Sequence, residues 1–232
     1  MRRVTFDIPT ANARLRDASP REILTLAVEQ FGQGLLFTSS FGAQSGVLLH
    51  LWSEVARHLP VVFLDTGFIF PETLAYRDAL ASRLGLVVRT IRPDISNGEL
   101  LARYGSDLPQ RDPDLCCGVN KVAPLAPLRE AATAWVSGLR RDQSTTRADT
   151  QLFERDGHLV RVHPLAAMTR DEVTAYLAKH EIPEHPLAAR RFLSIGCAPC
   201  TRAVGEGEDE RAGRWSGSAK TECGLHTSRA AG

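Results

Sequence analysis

The sequence has little charge of either sign in excess and no long apolar run. The chain has 232 residues, of which 43% are hydrophobic, and a formal net charge of +1. A membrane-spanning helix needs about twenty consecutive apolar residues, which the sequence does not offer. The near-neutral charge gives no general reason to expect nucleic acid or an acidic membrane surface as a partner. An anion site in this protein must therefore be a local feature.

The sequence has only five cysteines, and they are not expected to form structural disulfide bonds. Residues 1–7 contain neither the apolar segment nor the cleavage site of a signal peptide, so we expect a cytoplasmic chain. The length suffices to bury a core without disulfide bonds. In a reducing compartment, grouped cysteines indicate metal binding or catalysis. The five cysteines therefore become candidates for function.

Four of the cysteines form two close pairs. Cys116 and Cys117 are adjacent, and Cys197 and Cys200 form a Cys-x-x-Cys motif. Four thiolates suit a tetrahedral metal or an iron–sulfur cluster. Structural zinc is the alternative, although adjacent cysteines are an unusual spacing for zinc and match a cluster with crowded ligands better. Cys223 stands apart near the C-terminus and is the candidate reactive thiol.

Short apolar runs alternate with helical patterns in the first half of the chain. The runs predict buried strands at 35–39, 61–65 and 87–91, separated by helices over 45–57 and 71–84. This alternation indicates an α/β fold, with βαβ units and a mostly parallel sheet that carries helices on both faces.

Local signals place further elements and one domain boundary. Capping boxes predict helices after Ser19 and after Thr169, and Asp156-Gly157 predicts a hairpin. A short helix is predicted at 99–104 and a fourth strand at 134–139. Beyond Cys200 the sequence becomes rich in Gly, Ser, Glu and Arg. We therefore predict an α/β domain over 1–200 and a mobile, flexible tail over 201–232.

Polar loops follow three of the predicted strands. Carboxyl ends of parallel strands meet at one edge, where ligands bind, and a helix N-terminus in the first loop favours an anion. Ordinary turns and solvated arginines are the alternatives. The candidate substrate-binding residues in these loops are Ser39, Ser40, Phe41, Gly42, Gln44, Asp65, Thr66, Gly67, Arg140, Arg141 and Gln143.

Several of these motifs together resemble a known family. The loop Ser-Ser-Phe-Gly-Ala-Gln-Ser, the turn Leu-Asp-Thr-Gly, Cys-Cys-x-x-x-Lys, Gly-Leu-Arg-Arg-x-Gln, Cys-x-x-Cys and Lys-Thr-Glu-Cys-Gly-Leu-His resemble the assimilatory adenylyl-sulfate and phosphoadenylyl-sulfate reductases. The resemblance spans about residues 35–226, and the segment 220–226 is its most specific part. It implies an adenine nucleotide alpha hydrolase-like (ATP pyrophosphatase-like) fold. Phe41 and Gln44 depart from the Ser-Gly-Gly-x-Asp-Ser loop of the ATP pyrophosphatases, which argues against ATP chemistry.

The resemblance also implies a cofactor, a reaction and a partner. The four paired cysteines would hold a [4Fe-4S] cluster, as in the enzymes that reduce adenylyl sulfate. Cys223 would attack the sulfate sulfur to give an S-sulfonate, which thioredoxin or a glutaredoxin would release as sulfite. Candidate cations for the sulfate are Lys121, Arg140, Arg141, Arg211 and Arg214.

Other functions stay open at this point. The loop 39–45 also resembles that of the cluster-free enzymes, so reduction of the 3′-phosphorylated substrate, or of both substrates, remains an alternative. A zinc-stabilised nucleotide-binding module and an ATP-dependent adenylating enzyme are the other two. The sequence leaves a homo-oligomer open.

Overall fold

A six-stranded sheet forms the centre of the protein. The computed structural model describes residues 6–226. The strand order is β3-β2-β1-β4-β6-β5; neighbouring strands are parallel except for β5, which pairs with β6 in the antiparallel direction at one edge. The predicted α/β fold with a mostly parallel sheet is therefore confirmed. The strands are β1 Leu35–Thr38, β2 Val61–Leu64, β3 Val88–Ile91, β4 Ala134–Val136, β5 Phe153–Asp156 and β6 Leu159–Val162.

Nine α-helices accompany the sheet in residues 6–226. Ser19 and Thr169 cap two of them through the predicted capping boxes, and Ser96 forms a third. Within the described part of the chain, no helix is both long and apolar enough to cross a membrane. The helices are α1 Ile8–Arg14, α2 Pro20–Phe31, α3 Gly46–Val55, α4 Pro71–Leu84, α5 Asn97–Tyr104, α6 Leu108–Arg111, α7 Pro113–Cys117, α8 Ala123–Ala131 and α9 Arg170–Lys179.

The prediction missed the helices that carry the first cysteine pair. Helix α7, a π-helical turn (Gly118–Val122) and α8 follow one another without a break. Proline in the first turn of α7 and again in α8 obscured this helical pattern in the sequence. The unbroken run places Lys121 one turn beyond Cys117, on the same side of the helix.

Apolar residues cover both faces of the sheet. Successive strand residues point to opposite faces, so Phe37 packs with Trp52 of α3 in the larger core cluster, whereas Leu36 packs with Leu125 of α8 and Trp135 in a second cluster. Helices therefore lie on both faces, and the carboxyl edge of the parallel strands is free to form a site.

The C-terminal segment packs against the α/β body. The described part, residues 201–226, contains no helix or strand longer than an isolated bridge between Thr201 and Arg214. Trp215 and Leu225 are buried, and Leu225 joins the cluster that contains Trp135. The proposed boundary at residue 200 and the mobility of the tail stay predictions; residues 227–232 lie outside the described residues.

Candidate active site

A cavity of about 230 Å³ lies at the carboxyl edge of the parallel strands. The ends of β1, β2 and β4 form its floor, as expected for an open parallel sheet, and the C-terminal segment lies across it. The predicted residues that line the cavity are Ser39, Ser40, Gly42, Gln44, Lys121, Arg140, Gln143, Arg211, Arg214, Cys197 and Cys223.

Two predicted residues point into the protein body instead of lining this cavity. Phe41 is fully buried, and its ring packs against Phe63 with centroids 5.8 Å apart. Its φ of 49° is a left-handed conformation that a side chain with a Cβ rarely adopts. Arg141 donates from Nε to the carbonyl oxygen of Thr150 at 2.8 Å. Neither residue is part of the cavity lining.

The Asp65-Thr66-Gly67 turn lies beside the cavity and outside its lining. Asp65 forms an ion pair with Arg92 at 3.0 Å and accepts a hydrogen bond from the backbone of Gly67 at 3.0 Å. The Thr66 hydroxyl lies 3.2 Å from the Cys197 sulfur. This turn therefore supports the cysteine group.

Arg140 lines the cavity with its charge compensated. The side chain is 1% exposed; its Nε donates to Asp142 at 2.9 Å, and its Nη1 donates to Gln44. Its Nη2 lies 3.5 Å from the Glu210 carboxylate without a hydrogen-bond partner. Burial raises the pKa of Glu210, and the charge of Arg140 limits the rise. The surroundings of Arg140 are therefore polar, and Asp142 and Glu210 compensate its charge.

The cavity also carries positive charge from Lys121 and Arg214 that is not compensated, and from Arg211, which pairs with Glu222 at 3.1 Å. Among residues 6–226, neither Lys121 nor Arg214 has a carboxylate within ion-pair distance. Arg214 stacks over Trp215, 4.3 Å from the ring centroid. Burial and the charge of Arg147 lower the pKa of Arg211 to about 10, so it is still a cation at neutral pH. An anionic group of a ligand would be most stable here.

Cys223 lines the cavity near Lys121 and Arg214. A hydrogen bond from the Cys117 thiol lowers the pKa of Cys223 well below its usual value, and the charge of Lys121 acts in the same direction against the effect of burial. Burial works against the charge of Lys121, but the neighbouring thiolates, Cys197 first, raise its pKa overall. The arrangement can therefore hold a thiolate beside a bound anion.

The two predicted cysteine pairs come together in one small closed cavity. Cys116, Cys117, Cys197 and Cys200 are 7%, 6%, 8% and 8% exposed and line it together. Helix α7 supplies the first pair. In the second pair, Cys197 immediately precedes a short 3₁₀-helix, Ala198–Cys200, which carries Cys200. This helix is tied to the turn after β2 by a hydrogen bond from Ala198 N–H to the carbonyl oxygen of Phe68 at 2.7 Å.

The donor set fits a cluster by its chemistry. It consists of four soft sulfur donors with no oxygen or imidazole donor among them, which is the preference of iron–sulfur clusters and also of zinc. Burial and the nearby Cys197 raise the pKa of Cys200 to about 11, and burial raises that of Cys116, so a bound cation would favour their ionised forms. Within residues 6–226, no group of three or more side chains is arranged to hold a metal ion as it stands.

Several residues of the site carried no signal in the sequence analysis. Arg147, Glu210 and His226 line the main cavity, and Glu222 binds Arg147 behind it. Burial and the surrounding arginines lower the pKa of His226 well below its usual value, so its ring is neutral at pH 7. Isolated charges in a polar tail give no periodicity or spacing, so only the position of Glu222 and His226 on either side of Cys223 could have drawn attention to them.

Comparison with known proteins identifies the family of this chain. A family model described as the phosphoadenosine phosphosulfate reductase domain matches residues 34–203. The chain is 46% identical to a protein of Chelativorans sp. named adenosine 5′-phosphosulfate reductase, over 93% of this chain and 89% of that protein. It is 42% identical to a protein of Gloeobacter violaceus named phosphoadenosine 5′-phosphosulfate reductase, over 90% of this chain and 89% of that protein.

Solved structures agree on the fold. The phosphoadenylyl-sulfate reductase of Candida auris, in a phosphate complex, matches with a TM-score of 0.72 and 25% identity, covering 82% of this chain and 94% of that one. The FMN adenylyltransferase of Candida glabrata matches with a TM-score of 0.54 and 17% identity, covering 84% of this chain and 66% of that one, which supports the nucleotide-binding fold alone. On its sequence, fold and site, this chain belongs to the phosphoadenosine phosphosulfate reductase domain family.

Proposed function

We propose that this protein reduces adenosine 5′-phosphosulfate to sulfite and AMP, as the names of several relatives state for those proteins. The observation that carries the proposal is the position of Cys223: its thiol lines the same cavity as Lys121, Arg211 and Arg214. A sulfate ester repels a thiolate unless cations neutralise its oxygens. These three cations supply that charge where the nucleophile is.

This geometry supports the following reaction. The Cys223 thiolate attacks the sulfur of the sulfate group, the bond from that sulfur to the bridging oxygen breaks, and AMP leaves with the electron pair. Cys223 then carries an S-sulfonate. A dithiol protein of the thioredoxin or glutaredoxin class attacks the Cys223 sulfur and expels sulfite. Its second thiol resolves the mixed disulfide, so the partner becomes a disulfide and Cys223 a thiolate again.

The cofactor belongs to the same proposal. Cys116, Cys117, Cys197 and Cys200 would hold a [4Fe-4S] cluster, whose charge would order the site. The thiols themselves converge in one closed cavity, and Lys121 lies between them and Cys223. Asn120 donates to Cys116 Sγ at 3.5 Å and Thr66 lies beside Cys197, so polar groups already orient two of the sulfurs. A cytoplasmic location would keep all these thiols reduced.

The 3′-phosphorylated substrate is the second candidate. The Gloeobacter violaceus and Candida auris proteins are named as reductases of that compound. Charge around Arg140 favours the unphosphorylated one, since Asp142 and Glu210 already compensate this guanidinium. A second phosphate placed there would meet the Glu210 carboxylate.

One experiment tests the chemistry directly. Protein prepared without air is incubated with adenosine 5′-phosphosulfate in the absence of a dithiol partner and is then digested for mass spectrometry. We expect one added sulfonate on Cys223, which reduced thioredoxin removes as sulfite. An adduct on another cysteine contradicts the mechanism. No adduct together with pyrophosphate release from ATP points to an adenylating enzyme instead.

A further inference from the structure

The C-terminal segment is attached to the protein body immediately before Cys223. Glu222 accepts two hydrogen bonds from Arg147: from Nε to Oε1 at 2.6 Å and from Nη2 to Oε2 at 2.7 Å. The two side chains are 13% and 9% exposed. This two-point contact between a guanidinium and a carboxylate fixes orientation as well as distance, since both groups are planar.

Two further donors reach the same carboxylate. Arg211 donates from Nη2 to Oε2 at 3.1 Å, and the Thr146 hydroxyl lies 3.3 Å from Oε1. Burial by itself raises the pKa of Glu222, but the bonds from Arg147 lower it below its usual value. The carboxylate is therefore ionised at neutral pH, and both of its oxygens accept hydrogen bonds.

A second attachment lies immediately after Cys223. Leu225 is buried in the apolar cluster of Trp135, and the His226 ring stacks on Trp135 with centroids 5.7 Å apart and planes at 15°. Between the two attachments only Cys223 and Gly224 remain. The backbone N–H of His226 donates to the carbonyl oxygen of Cys223 at 2.8 Å, so this attachment holds Cys223 from its C-terminal side, and Glu222 holds it from the N-terminal side.

Arg147 also connects this attachment to the substrate cavity. Its Nη1 donates to Gln143, which accepts from the backbone N–H of Arg140 at 3.2 Å. Both Arg147 and Gln143 line the cavity. The position of Glu222 is thereby tied to the loop that faces the ligand.

We propose that the Arg147–Glu222 pair is a positioning clamp that holds the Cys223 sulfur at the cavity for sulfur transfer. The proposal rests on the function proposed above. Neither residue reacts: Glu222 acts through the backbone of the next residue, and Arg147 acts through Glu222. Misplacing a reacting atom by about 1 Å can slow a reaction by about a hundredfold, so the clamp affects the rate of transfer more than the binding of substrate.

The test compares Glu222→Gln with Glu208→Gln in the full chain. Glu208 lies in the same segment and pairs with Arg202, but that pair is exposed, joins the segment only to itself and has no contact with the clamp. In Glu222→Gln we expect amide hydrogen exchange in residues 221–226 to be about tenfold faster. We expect the first-turnover formation of the Cys223 sulfonate to be about tenfold or more slower, while the Kd for AMP stays within about threefold. Glu208→Gln should match the wild type in all three.

Arg147→Lys provides an independent variant. Lysine keeps the charge but lacks the planar guanidinium group. The rates of amide hydrogen exchange and of sulfonate formation in Arg147→Lys should therefore lie between those of the wild type and of Glu222→Gln. If Glu222→Gln does not fold, by circular dichroism, this variant decides the question. Wild-type exchange and transfer rates in the variants, or equal changes in Glu208→Gln, would overturn the clamp. If the wild type forms no sulfonate, the proposed function is wrong, and the amide hydrogen exchange rates still test whether the clamp holds the segment in place.

Discussion

Cys117 and Cys223 are close enough for each thiol to shift the pKa of the other, so one of the four grouped thiols acts directly on the proposed nucleophile. This interaction stabilises the Cys223 thiolate and raises the pKa of Cys117. A sulfur that keeps its proton cannot at the same time be a thiolate ligand of iron. Cluster binding and this interaction therefore exclude each other.

Removing the Cys117 thiol in metal-free protein should make Cys223 less acidic. In Cys117→Ala we expect the pH midpoint for alkylation of Cys223 by iodoacetamide to rise by about one pH unit, because Lys121 remains as the main stabilising charge. Cys200→Ala is the matched control, since Cys200 belongs to the same group and makes no bond to Cys223. An equal shift in both variants would contradict a specific role for Cys117.

Metal content distinguishes a cluster from zinc. Protein purified without air should contain about four iron atoms per chain with matching sulfide and should absorb broadly in the visible range. Cys197→Ser should lose iron, because the quartet then has only three thiolates. Stoichiometric zinc with no iron in protein never exposed to air would contradict the cluster assignment.

Cys223→Ser should abolish turnover without unfolding the protein. A serine hydroxyl is far less ionised than a thiol at neutral pH, so sulfite production should fall by at least about a thousandfold. Because Lys121, Arg211 and Arg214 remain, AMP should still bind with nearly unchanged affinity in calorimetry. A variant that makes sulfite near the wild-type rate would remove Cys223 from the mechanism.

Glu210→Gln should weaken the preference against a 3′-phosphate. The substitution removes the carboxylate that lies 3.5 Å from Arg140. The charge of that guanidinium is then less compensated and can attract an added phosphate more strongly. We expect the ratio of kcat/KM for the phosphorylated substrate to that for adenosine 5′-phosphosulfate to rise by about fivefold or more. Glu206→Gln, an exposed residue of the same segment, is the control and should leave the ratio unchanged.

His185 should make the protein less stable in mild acid. Its Nδ1 accepts from the backbone N–H of Leu187 at 3.1 Å, so the neutral ring donates from Nε2 to Thr73 at 2.9 Å. Burial lowers the pKa of His185 to about 4, whereas the unfolded chain has a value of about 6.5. The unfolded state therefore takes up the proton first as the pH falls.

This pKa difference predicts the direction in which the free energy of unfolding changes with pH and the pH range of the change. The stability present above pH 6.5 should be lost as the pH falls towards 4, by on the order of 2–3 kcal/mol. Urea unfolding at several pH values measures this loss. His185→Asn should flatten the dependence, and His58→Asn, at an exposed position, should not. Equal slopes for His185→Asn and the wild type would contradict the assignment.

The sequence by itself determined several of the elements and the grouping of four cysteines. Capping boxes at Ser19 and Thr169 and the apolar runs of β1 and β2 act over a few neighbouring residues, so they could be interpreted without the fold. Counting thiols was sufficient to predict that Cys116 and Cys200 would be brought together, because few other arrangements of four buried thiols are chemically useful.

Tertiary structure alone decided which side chains face the cavity and which charges remain uncompensated there. Phe41 and Ser40 are neighbours, yet only Ser40 lines the cavity, because the side chains of adjacent residues point in different directions. Arg147 and Glu222 are 75 residues apart, and no local pattern relates them. Their pairing exists only because the C-terminal segment folds back over the sheet edge. Both charges are mostly buried there, and each would be unfavourable without the other as its partner.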